Sequence, residues 1–394
     1  MSIKSAVGYS ENIDESYEAG LEIGDMILEK IALQANSVGI LFCHIEFDFA
    51  ELLKSIREKL DIPIFGCTTS GEANNDGYFE ESASLMVITS DALKLGFGIG
   101  ENLSKDPEAA VHAACTSAQA MLGEDKPKLA LTFPDSSMRL SSDHVLGLLQ
   151  DGIDKDAQIV GGLPGDNYQF RKTYQFFNGS VYSDAVPLLL LAADIEPLII
   201  TRSGWIPLGK KVKATKSEGN ILYEIDHQPA IEYLKNYIPN VDDPDLMAAY
   251  PLALLDESLG DDAGNYFVIR SGFTYNKEDG SVFGNGHIPE NATLQIARGA
   301  REDILAGAEE AILTLKQKLA NKKIHALLCF SCAGRRLMLG LETKKEIELI
   351  LNNLPADCAV NGFYTNGELG PIDSSLEQLK KSRYHNTTIV LCAF

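Results

Sequence analysis

The apolar positions of this chain repeat a texture. Short continuous apolar runs at 38–44 (VGILFCH), 128–133 (KLALTF) and 324–331 (IHALLCFS) have the length and content of buried strands. Each is followed by a stretch whose apolar residues recur at three- and four-residue spacing, the mark of a helix with one buried face. Phe49, Leu52, Leu53, Ile56 and Leu60 form the first stripe; Val145, Leu148, Leu149 and Ile153 the second; Ile347, Ile350, Leu351 and Leu354 the third. A glycine-rich turn follows each helix. Another apolar strand then closes the unit, at 84–89, 186–192 and 388–393.

The turns themselves repeat. Asp61-IPIF-Gly66-CTTS-Gly71-Glu72 recurs as Asp357-CAVN-Gly362-FYTN-Gly367-Glu368, with Thr69 matching Thr365. A looser copy, Asp156-AQIV-Gly161-GLP-Gly165-Asp166, lacks the threonine. Helical crossovers between neighbouring strands imply parallel pairing with helices on the sheet faces. The expected fold class is therefore α/β: two related α/β halves with mixed, mainly parallel sheets covered by helices.

The midsection breaks the pattern. Residues 210–215 and 266–286 read as strands and hairpins, with Asp279-Gly280 a hairpin cue. Residues 221–237 (ILYEIDHQPAIEYLKNY) read as a helix interrupted at Pro229. Residues 240–251 read as a loop and 299–321 as a helix. A boundary near Glu196 to Ser203 divides the chain into domains 1–200 and 201–394.

Composition narrows the function class. With 394 residues, 45% hydrophobic and 23% charged, the chain is an ordinary globular protein of two or three domains. Acidic residues outnumber basic ones 56 to 34, a formal charge of −22. Such a surface repels phosphate backbones and anionic lipid, so neither nucleic acid nor membrane is an expected partner. The longest apolar run, Ala185 to Ala193, is far short of the ~20 residues that span a bilayer. The first twenty residues lack the apolar core of a signal peptide. Most of the seven cysteines lie in apolar strand-like runs, which suits reduced thiols and a cytoplasmic location.

The Gly-x-x-Thr-x-Gly-Glu turn is the strongest candidate for chemistry. Its glycines permit close backbone approach, and successive amides form a nest for a carboxylate or carbonyl. The ends of strands in α/β sheets are favoured ligand positions. The candidate ligand-binding residues are Gly66, Cys67, Thr68, Thr69, Ser70, Gly71 and Glu72 in the first turn, and Tyr364, Thr365, Asn366, Gly367 and Glu368 in the last. Asp166 joins them from the looser copy, and Ser331, Cys332 and Arg335 from the end of the 324–331 strand. Thr and Ser hydroxyls would orient the ligand, Arg335 would clamp a carboxylate, and Glu72 or Glu368 would take an amine. The competing reading is that glycine and threonine only shape tight turns. Cys329 and Cys332 form a C-x-x-C without the further ligands a zinc site needs. Cys67 is the candidate nucleophile of a hydrolase reading, and His44 the first choice for a haem ligand. Nucleotide-binding fingerprints are lacking.

Taken in order, GCTTSGE (66–72), IVGGLPGD (159–166), FFNGSVYSDAVPLLL (176–190), DHQPAIEYL (226–234), HIPENATLQIARG (287–299), CFSCAGR (329–335) and NGFYTNGELGP (361–371) resemble the FIST family across nearly the whole chain. His227 departs from the family's usual glycine. The resemblance implies an intracellular sensory, signal-transduction protein that is not an enzyme. It would bind a small ligand, an amino acid or related metabolite, between its halves. Two alternatives stay open: a haem-binding nitric oxide sensor, which makes haem the cofactor to test for, and a cysteine- or threonine-dependent hydrolase or transferase. No output segment follows the second half, so a signalling partner in trans is expected.

Overall fold

Three apolar runs become the central strands of three sheets. The computed structural model describes residues 3–136, 141–255, 266–320, 322–372 and 381–394. The first unit runs β1 (Lys4–Ser10), α1 (Ser16–Lys30), β2 (Asn36–Cys43), α2 (Phe49–Leu60), β3 (Ile64–Thr68), β4 (Glu72–Asn74), β5 (Gly77–Phe79) and β6 (Ala83–Ser90). The second repeats it with β7 (Lys94–Glu101), α3 (Pro107–Leu122), β8 (Leu129–Thr132), α4 (Ser142–Gly152), β9 (Gln158–Gly162), β10 (Gln175–Phe177), β11 (Ser180–Tyr182) and β12 (Ala185–Ala192). The third opens with β13 (Leu198–Arg202).

An insertion then intervenes: β14 (Ile206–Glu218), β15 (Ile221–Ile225), β16 (Gln228–Pro229), α5 (Ala230–Leu234), α6 (Pro244–Ala249), β17 (Leu252–Leu255), β18 (Phe267–Arg270), β19 (Thr274–Tyr275), β20 (Val282–Phe283) and β21 (Thr293–Arg298). The third unit resumes with α7 (Arg301–Leu319), β22 (Ala326–Cys332), α8 (Ala333–Leu339), α9 (Thr343–Leu351), β23 (Ala359–Thr365), β24 (Glu368–Pro371), β25 (Ser382–His385) and β26 (Ile389–Ala393).

The three sheets share one order. They run β1-β6-β2-β3, β7-β12-β8-β9 and β13-β26-β22-β23. Each is completed by a hairpin from a different unit: β10-β11 on the first sheet, β24-β25 on the second, β4-β5 on the third. The exchange is cyclic, so every unit lends its hairpin and borrows another's.

Mixed sheets covered by helices are as expected, but their balance is not. Among the described pairs, only β2 with β3, β8 with β9, and β22 with β23 are parallel. One helical crossover yields one parallel pair per unit. The closing strand returns antiparallel between its neighbours, and the borrowed hairpin adds more antiparallel pairs. The threefold repeat expected from the apolar runs is present in all three sheets.

The helices form where the apolar stripe predicts. In α2 the Asp48 carboxylate caps the N-terminus by accepting Ala50 N–H at 3.0 Å and Glu51 N–H at 3.1 Å, while Leu52, Leu53, Ile56 and Leu60 are buried. The predicted helix at 221–237 is corrected. Ile221–Ile225 is a strand, and Asp226 and His227 turn the chain with φ of 48° and 64°. Two consecutive left-handed residues make a hairpin turn, the conformation a glycine at 227 would take freely. Helix starts only after Pro229. Residues 244–249 of the expected loop are helical, and the helix expected over 299–321 spans Arg301–Leu319; Asn321 lies outside the described residues.

The sheets face inward on one shared core. Phe42, Phe133 and Phe330 stand at equivalent positions of β2, at the end of β8, and of β22. Their rings meet edge-on at 5.4, 6.2 and 6.0 Å, each fully buried. The insertion has its own core around Leu222, Ile225, Leu234, Phe273 and Leu294. Buried Arg270 of β18 ties it to the body: its guanidinium, held by the insertion's own His287 carbonyl at 2.9 Å, reaches Asp143 of α4 at 2.9 Å and the Tyr384 carbonyl at 3.1 Å. Among the described residues, no helix is long and apolar enough to cross a membrane.

The exchange predicts how the chain responds to division between Glu196 and Pro197. Fragment 1–196 lacks the hairpin that completes its second sheet, and fragment 197–394 lacks β4-β5. Neither alone should show a cooperative thermal transition by circular dichroism, whereas co-expression should return a stable complex. A cooperative melt of fragment 1–196 alone would remove the exchange as the governing constraint.

Candidate functional site

The repeated glycine turns lie together at one end of the three sheets. Gly66, Gly161 and Gly362 occupy one equivalent place: a Cβ there would sit 1.8, 1.9 and 2.1 Å from the carbonyl oxygens of Leu41, Thr132 and Cys329. Close passage of the neighbouring strand demands glycine at each. The turn amides expected to form a nest are spent on one another. Ser70 N–H donates to the Tyr364 carbonyl at 3.0 Å and Tyr364 N–H to the Gly71 carbonyl at 2.8 Å. Gly165 N–H donates to the Thr68 carbonyl at 2.9 Å, Leu163 N–H to that of Gly367 at 2.8 Å, and Asn366 N–H to that of Leu163 at 3.1 Å.

The two turn acids are sealed. Glu72 and Glu368 have no exposed surface. Thr69 Oγ1 donates to Glu72 Oε1, and Ser82 supplies both its N–H and its hydroxyl to Oε2 at 3.0 Å. Glu368 repeats this with Thr365 at 3.1 Å, and with Thr388 N–H at 3.0 Å and its hydroxyl at 2.8 Å. Burial pushes each carboxyl up to about 8, although these hydrogen bonds pull downward. Burial outweighs the hydrogen bonds because, among the described residues, no cation contacts either group directly. Thr68 Oγ1 accepts Tyr174 N–H at 3.0 Å, while Ser70 Oγ is buried without a partner among the described residues.

Arg335 is likewise engaged from within. It pairs with Glu346 at 2.6 Å, both side chains fully buried, and also donates to the carbonyls of Ile304 and Ser203. Glu346 accepts Ser331 Oγ at 2.7 Å and Tyr364 OH at 2.8 Å as well. The carboxylate expected from a ligand is therefore the protein's own. Glu346 escaped the sequence reading, although its place beside Ile347 and four before Ile350 sets it on the buried stripe of α9. Cys67 and Cys332 are buried, and desolvation raises both thiols well above their ordinary value. All seven cysteines are free and buried.

Of the predicted residues, Asp166 and Asn366 reach open space. They line a cleft of about 540 Å³ with Asp135, Ser136, Phe170, Arg171, Lys172, Thr173, Ser183 and Asp184. The cleft exists because the second unit's turn is longer. Residues 163–174 connect β9 to β10, where 69–71 and 366–367 suffice elsewhere. Asp166 holds this loop by accepting the N–H groups of Phe170, Arg171 and Lys172 at 3.0, 2.7 and 3.2 Å. Asn167, Tyr168 and Phe170 take positive φ of 51°, 62° and 51°. For aromatic residues this is strained backbone, which the surroundings must enforce. Tyr168 OH donates to the Ala333 carbonyl at 2.7 Å, and its ring faces the Arg336 guanidinium, which donates to Asn167 Oδ1 at 2.8 Å. Asp135, at the end of its strand after Pro134, was legible as a strand-end acid and was missed.

Among the described residues, no histidine or cysteine lines this cleft. His44 is buried, burial lowers its pKa, and its Nε2 has no partner among the described residues. The cleft residues do not fit a haem, because none is an axial ligand of the His or Cys type. Among the described residues no cluster of His, Cys, Asp and Glu suits a metal ion.

Two outcomes follow from the sealed groups. Glu72 and Glu368 bind protons in the folded protein that they release when unfolded, between an ordinary value of 4.5 and about 8. Their contribution is fully present below pH 4.5 and lost as pH rises through 8, at roughly 1.4 kcal/mol per pH unit for each group. Glu72→Gln and Glu368→Gln should flatten the decline of Tm across pH 5 to 9; an unchanged slope would refute the assignment. Glu346→Ala strands a buried guanidinium and should destabilise by about 3–5 kcal/mol in urea melts.

Similarity to other proteins places this architecture. A model of the FIST N domain matches residues 37–228, and one of the FIST C domain matches residues 230–371. An uncharacterized protein of Methanocaldococcus jannaschii is 22% identical over 240 residues, covering 58% of this chain and 46% of that protein. The chain thus spans less than half that relative's length. Cyanuric acid hydrolase of A. caulinodans aligns over 100% of this chain and 99% of its own with 10% identity and a TM-score of 0.35. PurLQS of Thermotoga maritima aligns over 100% and 72% with 11% identity and a TM-score of 0.23. At those TM-scores neither structure bears on this chain's chemistry. With its N and C segments matched in tandem, the chain belongs to the FIST family, whose domains are associated with signal-transduction sensing.

Proposed function

We propose that the chain is a sensor, not an enzyme, and that its small polar ligand occupies the cleft between Asp166 and Asn366. The observation that carries this reading is the contrast among the three turns. Two are closed by internal carboxylates, and the third opens into a space lined from both matched segments. The lining offers carboxylates, hydroxyls, an amide and two exposed cations, Arg171 and Lys172, a set suited to a small charged metabolite such as an amino acid. Its position between segments lets occupancy bias how they sit, provided the ligand binds two arrangements unequally. A signalling partner in trans would read that bias. The hydrolase alternative gains no support, since the candidate thiol Cys67 is buried.

A thermal-shift screen of amino acids and related metabolites tests the reading. A ligand at 100 times its Kd should add ~2.7 kcal/mol. Ser183→Trp, which fills the cleft from a half-buried position, should abolish that shift. A shift that survives Ser183→Trp would move the site elsewhere, and no shift across the panel would remove the sensor reading.

A further inference from the structure

The three corners are equivalent in register, but the second carries its acid in a different place. Glu72 pairs with Phe363, Glu368 with Gly162 and Gln175 with Cys67, each one residue past the strand glycine of the sheet it joins. A neutral amide therefore stands where the other corners bury a carboxyl. Pro164 follows Gly161 by three residues, as Thr69 and Thr365 follow Gly66 and Gly362. Asp135 N–H meets the Ala185 carbonyl as His44 N–H meets that of Ser82 and Cys332 N–H that of Thr388, so alanine replaces the serine and threonine hydroxyls. The acid of this corner is instead Asp135, at the strand end and on the cleft wall.

That acid, like the other two on the wall, is answered from within. Asp135 Oδ1 accepts Gln175 Nε2 at 3.3 Å and Thr173 Oγ1 at 2.7 Å. Asp184 accepts the Ser104 N–H at 2.7 Å and its hydroxyl at 2.9 Å, one on each oxygen. Asp166 spends both oxygens on the loop amides of Phe170, Arg171 and Lys172. The donors of the cleft are in the opposite state. The Arg171 guanidinium, the Asn366 carboxamide and the hydroxyls of Ser136 and Ser183 have no hydrogen-bond or ionic partner among the described residues. Arg171 is exposed and the other three are half-buried, so each is reached from the open volume they line. Exposed Lys172 sets its ammonium over the Tyr174 ring at 4.7 Å.

We infer that the cleft holds its ligand by an oxyanion, a carboxylate or phosphoryl group, with Arg171 as the anchor. This deepens the sensor reading and rests on it. A guanidinium presents parallel N–H donors that match either oxyanion. Asn366 Nδ2 and the two hydroxyls add donors, and Lys172 adds a second positive charge beside the first. An ammonium would instead meet carboxylates whose oxygens already hold internal donors. The formal charge of −22 is spread over the surface, and charges more than about 8 Å away are screened at physiological ionic strength, so the adjacent cations decide. The strained loop has a use in this reading: by gathering three successive amides, Asp166 fixes the backbone that carries Arg171 and Lys172.

The test titrates the full chain with n-butyrate, methyl phosphate and n-butylamine by ligand-observed NMR. At least one anion should bind wild type at least tenfold more tightly than the amine, and the tighter anion names the carboxylate or the phosphoryl group. Arg171→Met should weaken that anion at least tenfold, the expected value of a hydrogen bond to a charged group. Asn366→Asp, which sets an acceptor and a negative charge beside the anchor, should do the same. Lys54→Met, on α2 where the ammonium lies over the Tyr17 ring, should leave binding unchanged. All three variants make the same change in net charge, so general electrostatics cannot imitate the pattern. Amine binding equal to that of both anions, anion binding indifferent to Arg171→Met, or silence of both anions overturns the proposal. The sensor reading then survives if another screened molecule gives a thermal shift that Ser183→Trp abolishes, and falls with the proposal if none does.

Discussion

The exchange of hairpins is the constraint from which the rest follows. A hairpin that leaves its own sheet must cross to a neighbour, and its first residue enters the space where two sheets meet. That residue is Glu72, Gln175 or Glu368. It is buried because the crossing is buried. The turns bond to each other because the crossings converge at one end of the core. The three phenylalanines then fill the line along which the sheets face one another.

A buried acid at such a crossing is an unfavourable choice unless its oxygens are filled. The first and third units fill them with neighbouring hydroxyls and a backbone N–H. The second unit departs at three positions together: glutamine for glutamate, proline for threonine, alanine for serine. The longer loop over this corner carries strained aromatic residues. Departures from local consistency commonly mark functional ground, and here they concentrate at one of three otherwise equivalent places.

Much of this fold is legible in the sequence, and the limits have physical causes. Apolar periodicity reveals the strands, the helices and the duplicated turn, because burial on one face imposes its spacing directly. Strand direction is misjudged because pairing partners are not local: nothing in 72–79 announces that it joins β23. The 221–237 helix is misread because Ile225, Ala230 and Leu234 mimic helical spacing across a hairpin that Asp226 and His227 turn. The turn residues stand out, yet their pattern reflects strand crossing more than ligand contact. Gln175 stays hidden because the longer loop shifts it out of alignment with the two acids. Arg335 looks like a surface clamp because its partner, Glu346, lies on another helix.

The Arg270 bridge has a mechanical consequence. Helix α4 borders the cleft region, with Ser142, Val145 and Leu146 lining a small cavity beside Asp135 and Leu369. Asp143 of the same helix is gripped by a guanidinium that also holds the Tyr384 carbonyl. Displacing α4 therefore pulls on the inserted sheet rather than dissipating within the helix. The insertion is thus coupled to the cavity wall through one carboxylate, since the Arg270 guanidinium and the His287 N–H, at 2.8 Å, both hold Asp143.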